Sequence, residues 1–262
     1  MGTYAVTGSA SGIGKATAAR LVADGHRVVG VDLRDADVTA DLATDEGRRT
    51  AIAQVTAAAA DGLDGLVTAA GIGGSSTSNG GLLVAINYFG TIALLEGLRP
   101  VLARTAHAAV VCLGSNSATV QPNWHVELAE ACLAGDEAKA REIAEAALSL
   151  YAYPATKAAV SWYVRTNAAR PEWIGAGIRL NVVAPGLTET ALTQGQREDP
   201  VIGDAIREFP VPLGRALRPE EIADVIAMLL ASEAFVGSVV VADGGTEALL
   251  RPKDWPNVWS LS

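Results

Sequence analysis

Several residue classes are scarce in this chain, and each shortage narrows the field. Aromatic residues make up only 5% of its 262 residues. Any core must therefore be built from Ala, Val, Leu and Ile, a composition that suits helices laid on buried parallel strands. There are two cysteines, Cys112 and Cys132. Cys112 sits in an apolar run that reads as a buried strand, and a pair of free thiols fits a reducing compartment better than a disulfide framework. The three histidines, His26, His107 and His125, are scattered with no carboxylate or cysteine at metal-ligand spacing, so no metal is expected. No basic tract relieves the formal net charge of -9. An acidic surface repels phosphate backbones and anionic bilayers, which speaks against nucleic-acid and membrane partners. The apolar run around Val225–Ala231 is too short to span a bilayer. Met1-Gly2-Thr3-Tyr4 does not open a secretory signal, so the cytoplasm is the expected location.

What the chain does have is apolar residues, 50% of the total, arranged as alternating strand-like and helix-like runs. Tyr4-Ala5-Val6, Arg27–Val31, Leu63–Ala69, Ala108–Leu113, Ile178–Val183 and Val239–Ala242 read as strands, and a third strand is expected to end near Asp41-Leu42. Helical patterns cover about 13–24, 44–60, 82–103 and 219–232, with another running to about Ala169. Repeated βα units with buried strands imply an α/β Rossmann fold: a doubly wound parallel sheet of about seven strands with helices on both faces. Two segments interrupt the rhythm. Residues 122–149 carry an inserted helical pair broken at Gly135, between the fifth strand and the following helix. Residues 188–212 form a long polar stretch of the kind that serves as a substrate lid. No flexible linker divides the chain, so residues 1–262 are expected to form one domain.

The first strand runs into Thr7-Gly8-Ser9-Ala10-Ser11-Gly12-Ile13-Gly14 and then a helix. Glycines let backbone approach a pyrophosphate, and the helix N-terminus offers amides and a positive dipole. Asp32 closes the second strand, 18 residues after Gly14. A carboxylate there accepts hydrogen bonds from adenosine ribose hydroxyls and repels a 2′-phosphate, which favours NAD over NADP. Asp41-Leu42 and Ala69-Ala70-Gly71 stand at strand ends where adenine and its ribose would lie. Tyr153 and Lys157 are four apart in Tyr153-Pro154-Ala155-Thr156-Lys157, so on a helix they share a face. A nearby cation lowers a phenol's pKa and readies it for proton transfer. Tyr151 has only Ala155 at the matching position.

Taken in order, Thr7–Gly14, Asp32, Asp41-Leu42, Asn87 in Ile86-Asn87-Tyr88-Phe89-Gly90, Ser115, Tyr153-x3-Lys157 and Pro185-Gly186-x-Thr188 resemble the short-chain dehydrogenase/reductase family over residues 3–246. Within it the chain is most similar to the bacterial 3α-hydroxysteroid dehydrogenase/carbonyl reductase group, through Gly30–Ala36 (including Leu33), Ala85–Gly90, Ala184–Thr190 and the inserted helical pair. The resemblance implies an NAD-dependent oxidoreductase that interconverts a secondary alcohol and a ketone, with a hydroxysteroid or other hydrophobic cyclic substrate. Ser115 would hold the substrate oxygen near Tyr153, the acid/base. Lys157 would bind the nicotinamide ribose and depress the tyrosine pKa, and Asn87 would support a water relay through it. Thr188 would bind the carboxamide, and Ile13 with its neighbours the pyrophosphate. Ala69 replaces the family's usual Asn, and Ser117 in Gly114-Ser115-Asn116-Ser117 is a rival serine.

The resemblance also implies a homo-oligomer, dimer before tetramer; Ile222–Leu230 and Val239–Ala242 read equally as an apolar two-fold contact or as core packing. Glu127, Glu130, Asp136, Glu137, Glu142 and Glu145 read as a solvated helix face. Trp124 reads as a residue of the substrate cleft, and the apolar residues Leu187, Leu192, Val201, Ile202 and Phe209 read equally as contacts for a hydrophobic substrate or as lid packing. Trp255 and Trp259 read either as a cover for substrate or partner subunit or as part of a disordered tail. The alternative function is a dinucleotide-binding sensor or scaffold without turnover. A lyase or epimerase using bound NAD would need further acid/base groups.

Overall fold

The computed structural model describes residues 1–146 and 148–254. Seven apolar runs form strands: β1 Thr3–Thr7, β2 Arg27–Asp32, β3 Val38–Thr39, β4 Gly65–Thr68, β5 Ala109–Leu113, β6 Arg179–Pro185 and β7 Val239–Ala242. All pair in parallel, in the order β3-β2-β1-β4-β5-β6-β7. β4, β5 and β6 are buried along their whole length. That is why they read as continuous apolar runs: helices cover both faces.

The helices are α1 Gly12–Ala23, α2 Asp45–Ala58, α3 Gly80–Val84, α4 Thr91–Leu102, α5 Ser117–Val120, α6 Val126–Leu133, α7 Glu137–Ala146, α8 Ser149–Asn167, α9 Ala191–Glu198, α10 Gly203–Arg207, α11 Pro219–Ala231 and α12 Thr246–Leu250. One apolar cluster joins α2, α4 and α8 to the sheet, and a second joins α1 and α11 to its other face. A wider, π-helical stretch, Ala85–Gly90, links α3 to α4. Gly80–Leu102 as a whole is long and apolar enough to cross a membrane, but most of it is buried against the core.

The inserted pair is α6 and α7, turning at Gly135 with φ +74. It does not project into solvent: α6 packs on α8 and α7 on α3. The expected long polar lid is not irregular, since residues 188–212 contain α9 and α10; Thr190 caps α9 by accepting a hydrogen bond from the Thr193 amide. The third strand is shorter than expected and ends at Thr39, leaving Asp41-Leu42 in the turn before α2. Trp255 and Trp259 lie outside the described residues.

The elements expected to supply a two-fold contact also pack the chain's own core. Ile222, Ile226, Leu229 and Leu230 point into the chain's own core beside Val6, Val67, Val111 and Val183. An amphipathic helix on a sheet presents its apolar stripe inward, and only Met228 on its outer side and Val241 on the edge strand remain substantially exposed. The strand order reverses between β1 and β4. In sheets of this kind the crevice beyond the carboxyl ends at that reversal is where ligands bind.

Candidate active site

At that crevice lies a cleft of about 580 Å³. Every residue expected from the sequence to touch a cofactor lines it, from Gly8 to Thr188, and Ser115, Ser117, Tyr153 and Lys157 line it too. Asn87 alone of the expected set stands behind the wall. The glycine turn is a fitted part. Gly8 has φ +68, and a Cβ on Gly14 would fall 2.2 Å from the Gly8 carbonyl oxygen, so no larger residue fits there. Ser11, the residue before α1, makes no side-chain cap. The first-turn amides of α1 are therefore left to a ligand in the cleft, which suits a pyrophosphate. Asp32 accepts from the Ala10 and Leu33 amides at 2.9 and 2.7 Å, so it braces the turn while lining the same cleft. Each carboxylate oxygen has a second lone pair for a ribose hydroxyl.

α8 carries the chemistry. Its Pro154 has no N–H, which leaves the Leu150 carbonyl without its helical donor. The Gln121 side chain supplies that bond at 2.9 Å. One turn on, Lys157 is buried, and its Nζ donates to the Leu113 carbonyl at 2.9 Å at the end of β5. Burial disfavours its charged form and brings its pKa down to about 8. Nζ stands 5.7 Å from the centre of the Tyr153 ring.

The expectation that Lys157 depresses the Tyr153 phenol does not hold for the free protein. Burial pushes the phenol above its ordinary value of 10.0, and only the hydroxyl of Ser115 pulls it down. Desolvation wins because the ammonium bonds to a carbonyl and not to the phenol, and a buried lysine is itself partly disposed to lose its charge. Ser115, not Ser117, is the serine paired with Tyr153. The Ser117 amide donates to the Ser115 hydroxyl at 3.1 Å, while the Ser117 hydroxyl is buried without a partner.

Three polar devices hold this arrangement, and of their residues only Asn87 was expected from the sequence. Asn116 is buried and donates to Asp243 at 3.1 Å, tying the serine loop to the end of β7. Asn87, on the π-helical stretch, accepts from the Ile72 amide and donates to the Ile72 carbonyl, both at 2.9 Å, which fixes the wall beside Gly71. Across the mouth, Asp199 accepts from the Ser76 amide and hydroxyl, each at 2.8 Å, and Gln196 donates to the Gly74 carbonyl at 3.0 Å. Burial would raise the Asp199 pKa, but the Val201, Ser76 and Ile202 amides with the Ser76 hydroxyl outweigh it and hold it at about 2. The lid is thus latched to the loop after β4. The only hint in the sequence was the run of small polar residues at 73–79, which reads as a bare loop.

Two expectations about the lining fail. Trp124 is not in the cleft; it packs on Trp162 with ring centres 5.9 Å apart. Leu187, Leu192, Ile202 and Phe209 do line the cleft, but Val201 is 70% exposed and does not. The acidic face of the insertion is solvated at Glu127, Glu130, Glu142 and Glu145 but not at Glu137, which is paired with Arg48 and Arg141. Among the described residues no His, Cys, Asp and Glu cluster could hold a metal, and Cys112 and Cys132 are free and buried. Thr188 is buried, and its hydroxyl donates to the Gly186 carbonyl at 2.9 Å.

Comparison with known proteins shows the family to which the chain belongs. A family model described as short chain dehydrogenase matches residues 3–127, and one described as enoyl-(acyl carrier protein) reductase matches residues 141–247. The chain is 43% identical to the 3-alpha-hydroxysteroid dehydrogenase/carbonyl reductase of Comamonas testosteroni over 257 residues, 96% of this chain and 99% of that protein. It is 31% identical to D-threitol dehydrogenase of Mycolicibacterium smegmatis, over 92% of this chain and 90% of that one. The crystal structure of the 3-alpha-hydroxysteroid dehydrogenase from Pseudomonas sp. B-0831, complexed with NADH, superposes with a TM-score of 0.91 at 47% identity, covering 97% of this chain and 100% of that one. A glycine-cradled cleft with Ser115, Tyr153 and Lys157 on its wall, on a chain this similar throughout its length, places the protein in the short-chain dehydrogenase/reductase family of oxidoreductases.

Proposed function

We propose that the protein interconverts a secondary alcohol and a ketone with NAD(H), acting on a hydrophobic cyclic substrate such as a hydroxysteroid. The observation that carries this is the meeting, in one cleft, of an uncapped helix N-terminus behind a glycine turn, Asp32 at the second strand's end, and the Ser115–Tyr153–Lys157 group. The apolar side chains of Leu187, Leu192, Ile202 and Phe209 on the lid side favour an apolar substrate. The names of the 3-alpha-hydroxysteroid dehydrogenase relatives favour a steroid.

In this reading the Ser115 hydroxyl and the Tyr153 phenol hold the substrate oxygen. Tyr153 gives that oxygen a proton in reduction and takes it back in oxidation. Lys157 and Thr188 bind the nicotinamide end, with the Asn87 segment supporting water that passes the proton onward from Lys157. When bound, the oxidised dinucleotide supplies the hydride acceptor and a positive ring, and a cation near a phenol favours the phenolate. The alternative of a sensor without turnover finds no support, because the serine, phenol and amine are all present and together. We also propose a cytoplasmic homodimer: the two buried free thiols fit a reducing compartment, and the insertion covers α8, leaving the β7 edge with Val241 and the outer side of α11 with Met228 as apolar contact surface.

Three outcomes are expected. Tyr153→Phe keeps NADH binding, read by fluorescence, and loses oxidation of secondary alcohols by at least about a hundredfold; normal turnover by this variant would remove Tyr153 as the acid/base. Asp32→Ala raises the ratio of kcat/KM for NADP over NAD by about tenfold or more, and a wild type that already prefers NADPH would contradict the assignment of NAD. Light scattering in solution gives a dimer that Val241→Lys with Met228→Lys converts to monomer; a double variant with unchanged mass would place the contact elsewhere.

A further inference from the structure

The insertion reaches the cofactor cleft through one buried arginine. Arg48, on α2, is buried, yet four elements meet at its guanidinium. Its Nε donates to the Leu42 carbonyl at 2.9 Å. One terminal nitrogen donates to the Ala85 carbonyl at 2.9 Å. Glu137, the first residue of α7 in the insertion, receives both terminal nitrogens in a fork, at 2.7 and 3.0 Å. Asp45 adds a longer contact at 3.3 Å from the exposed side.

Each partner has a job in the site. Leu42 is buried and lines the cleft in the turn after β3, where the sequence places adenine. Ala85 opens the π-helical stretch that presents Asn87. A carbonyl that receives a guanidinium N–H is freed from the need for an ordinary helical donor, which favours the wider turn at that point. The two ends of that stretch are close to the same turn: a Cβ on Gly90 would stand 3.0 Å from the Leu42 carbonyl oxygen. A planar fork can serve a carboxylate and two carbonyls at once only if its plane is fixed, and the Glu137 carboxylate is what fixes it. Arg141 steadies Glu137 in turn, at 2.9 and 3.0 Å, and reaches the Ala43 carbonyl at 3.2 Å.

We infer that the inserted helices help to shape the adenosine end of the dinucleotide site, with Glu137 orienting Arg48 as a positioning residue that props Leu42 and the start of the Asn87 segment. The inference rests on the reading of the cleft as an NAD(H) site. It gives the insertion a role in cofactor affinity in addition to covering α8.

The test is NADH affinity, by fluorescence titration well below the melting temperature, beside steady-state kinetics with a secondary alcohol at saturating NAD. Glu137→Gln keeps the side-chain shape but removes the charge that holds the fork, and Arg48→Lys keeps the charge but removes the fork. Each is expected to weaken NADH binding about fivefold to tenfold while KM for the alcohol stays within about twofold. Lys139→Met, on the exposed side of α7 with only the Glu142 side chain as its partner, is expected to bind NADH within about twofold of wild type. If Glu137→Gln and Arg48→Lys bind NADH as wild type does, or lose alcohol and NADH affinity together, the inference is overturned. Should either of the two fail to fold, the other decides. A wild type that binds no NADH would overturn the reading of the cleft itself, and so is told apart from a failure of the Arg48 role alone.

Discussion

The cost of keeping charge out of water governs this structure. Lys157 is an amine in the protein interior with one carbonyl partner, and Tyr153 is a phenol whose ionised form is disfavoured by its surroundings. Burial drives both groups toward neutrality, the lysine by loss of its proton and the tyrosine by retention. With a pKa of about 8 the lysine still carries its proton at neutral pH, whereas the phenol resists ionisation until something supplies positive charge. In the proposed function the arriving dinucleotide does so, which couples proton transfer to cofactor binding.

The polar network can be read as the means of holding that pair still. Parallel strands end at one edge of the sheet, and the turns beyond them need partners for backbone groups that the sheet no longer satisfies. Asn87 serves the Ile72 backbone, Asn116 joins the serine loop to Asp243, Gln121 takes the carbonyl orphaned by Pro154, and Arg48 takes two more. These bonds are short-range and directional, so a displaced turn cannot slide to an equivalent position. The lid is held by the same logic, with Asp199 collecting four donors and remaining ionised down to about pH 2.

Much of this was legible in the sequence, for definable reasons. Parallel strands leave continuous apolar runs, and the seventh strand, Val239–Ala242, was bounded correctly by that signal although it lies at the sheet's edge and is only partly buried. The glycine turn and the Tyr153–Lys157 spacing are local, so sequence distance translates directly into geometry. Gly135 marked the break in the insertion because a positive φ there favours glycine. Apart from the early end of β3 and the two helices of the lid, the failures are long-range. Glu137 looks like its solvated neighbours until Arg48, 89 positions away, is folded against it. The apolar stripe of α11 and Trp124 carry no label for which surface they meet. The sign of the Tyr153 shift depended on burial, which spacing does not report.

The most direct test follows the Tyr153 phenol itself. Tyrosine labelled with ¹³C at Cζ, with the Phe variant assigning the signal, can be titrated by NMR from neutral to alkaline pH with and without NAD. The account predicts that the phenol of the free protein stays protonated past pH 10, and that NAD moves its titration down by about one pH unit or more. A phenol that ionises below 10 in the free protein, or one that NAD leaves unmoved, would contradict it.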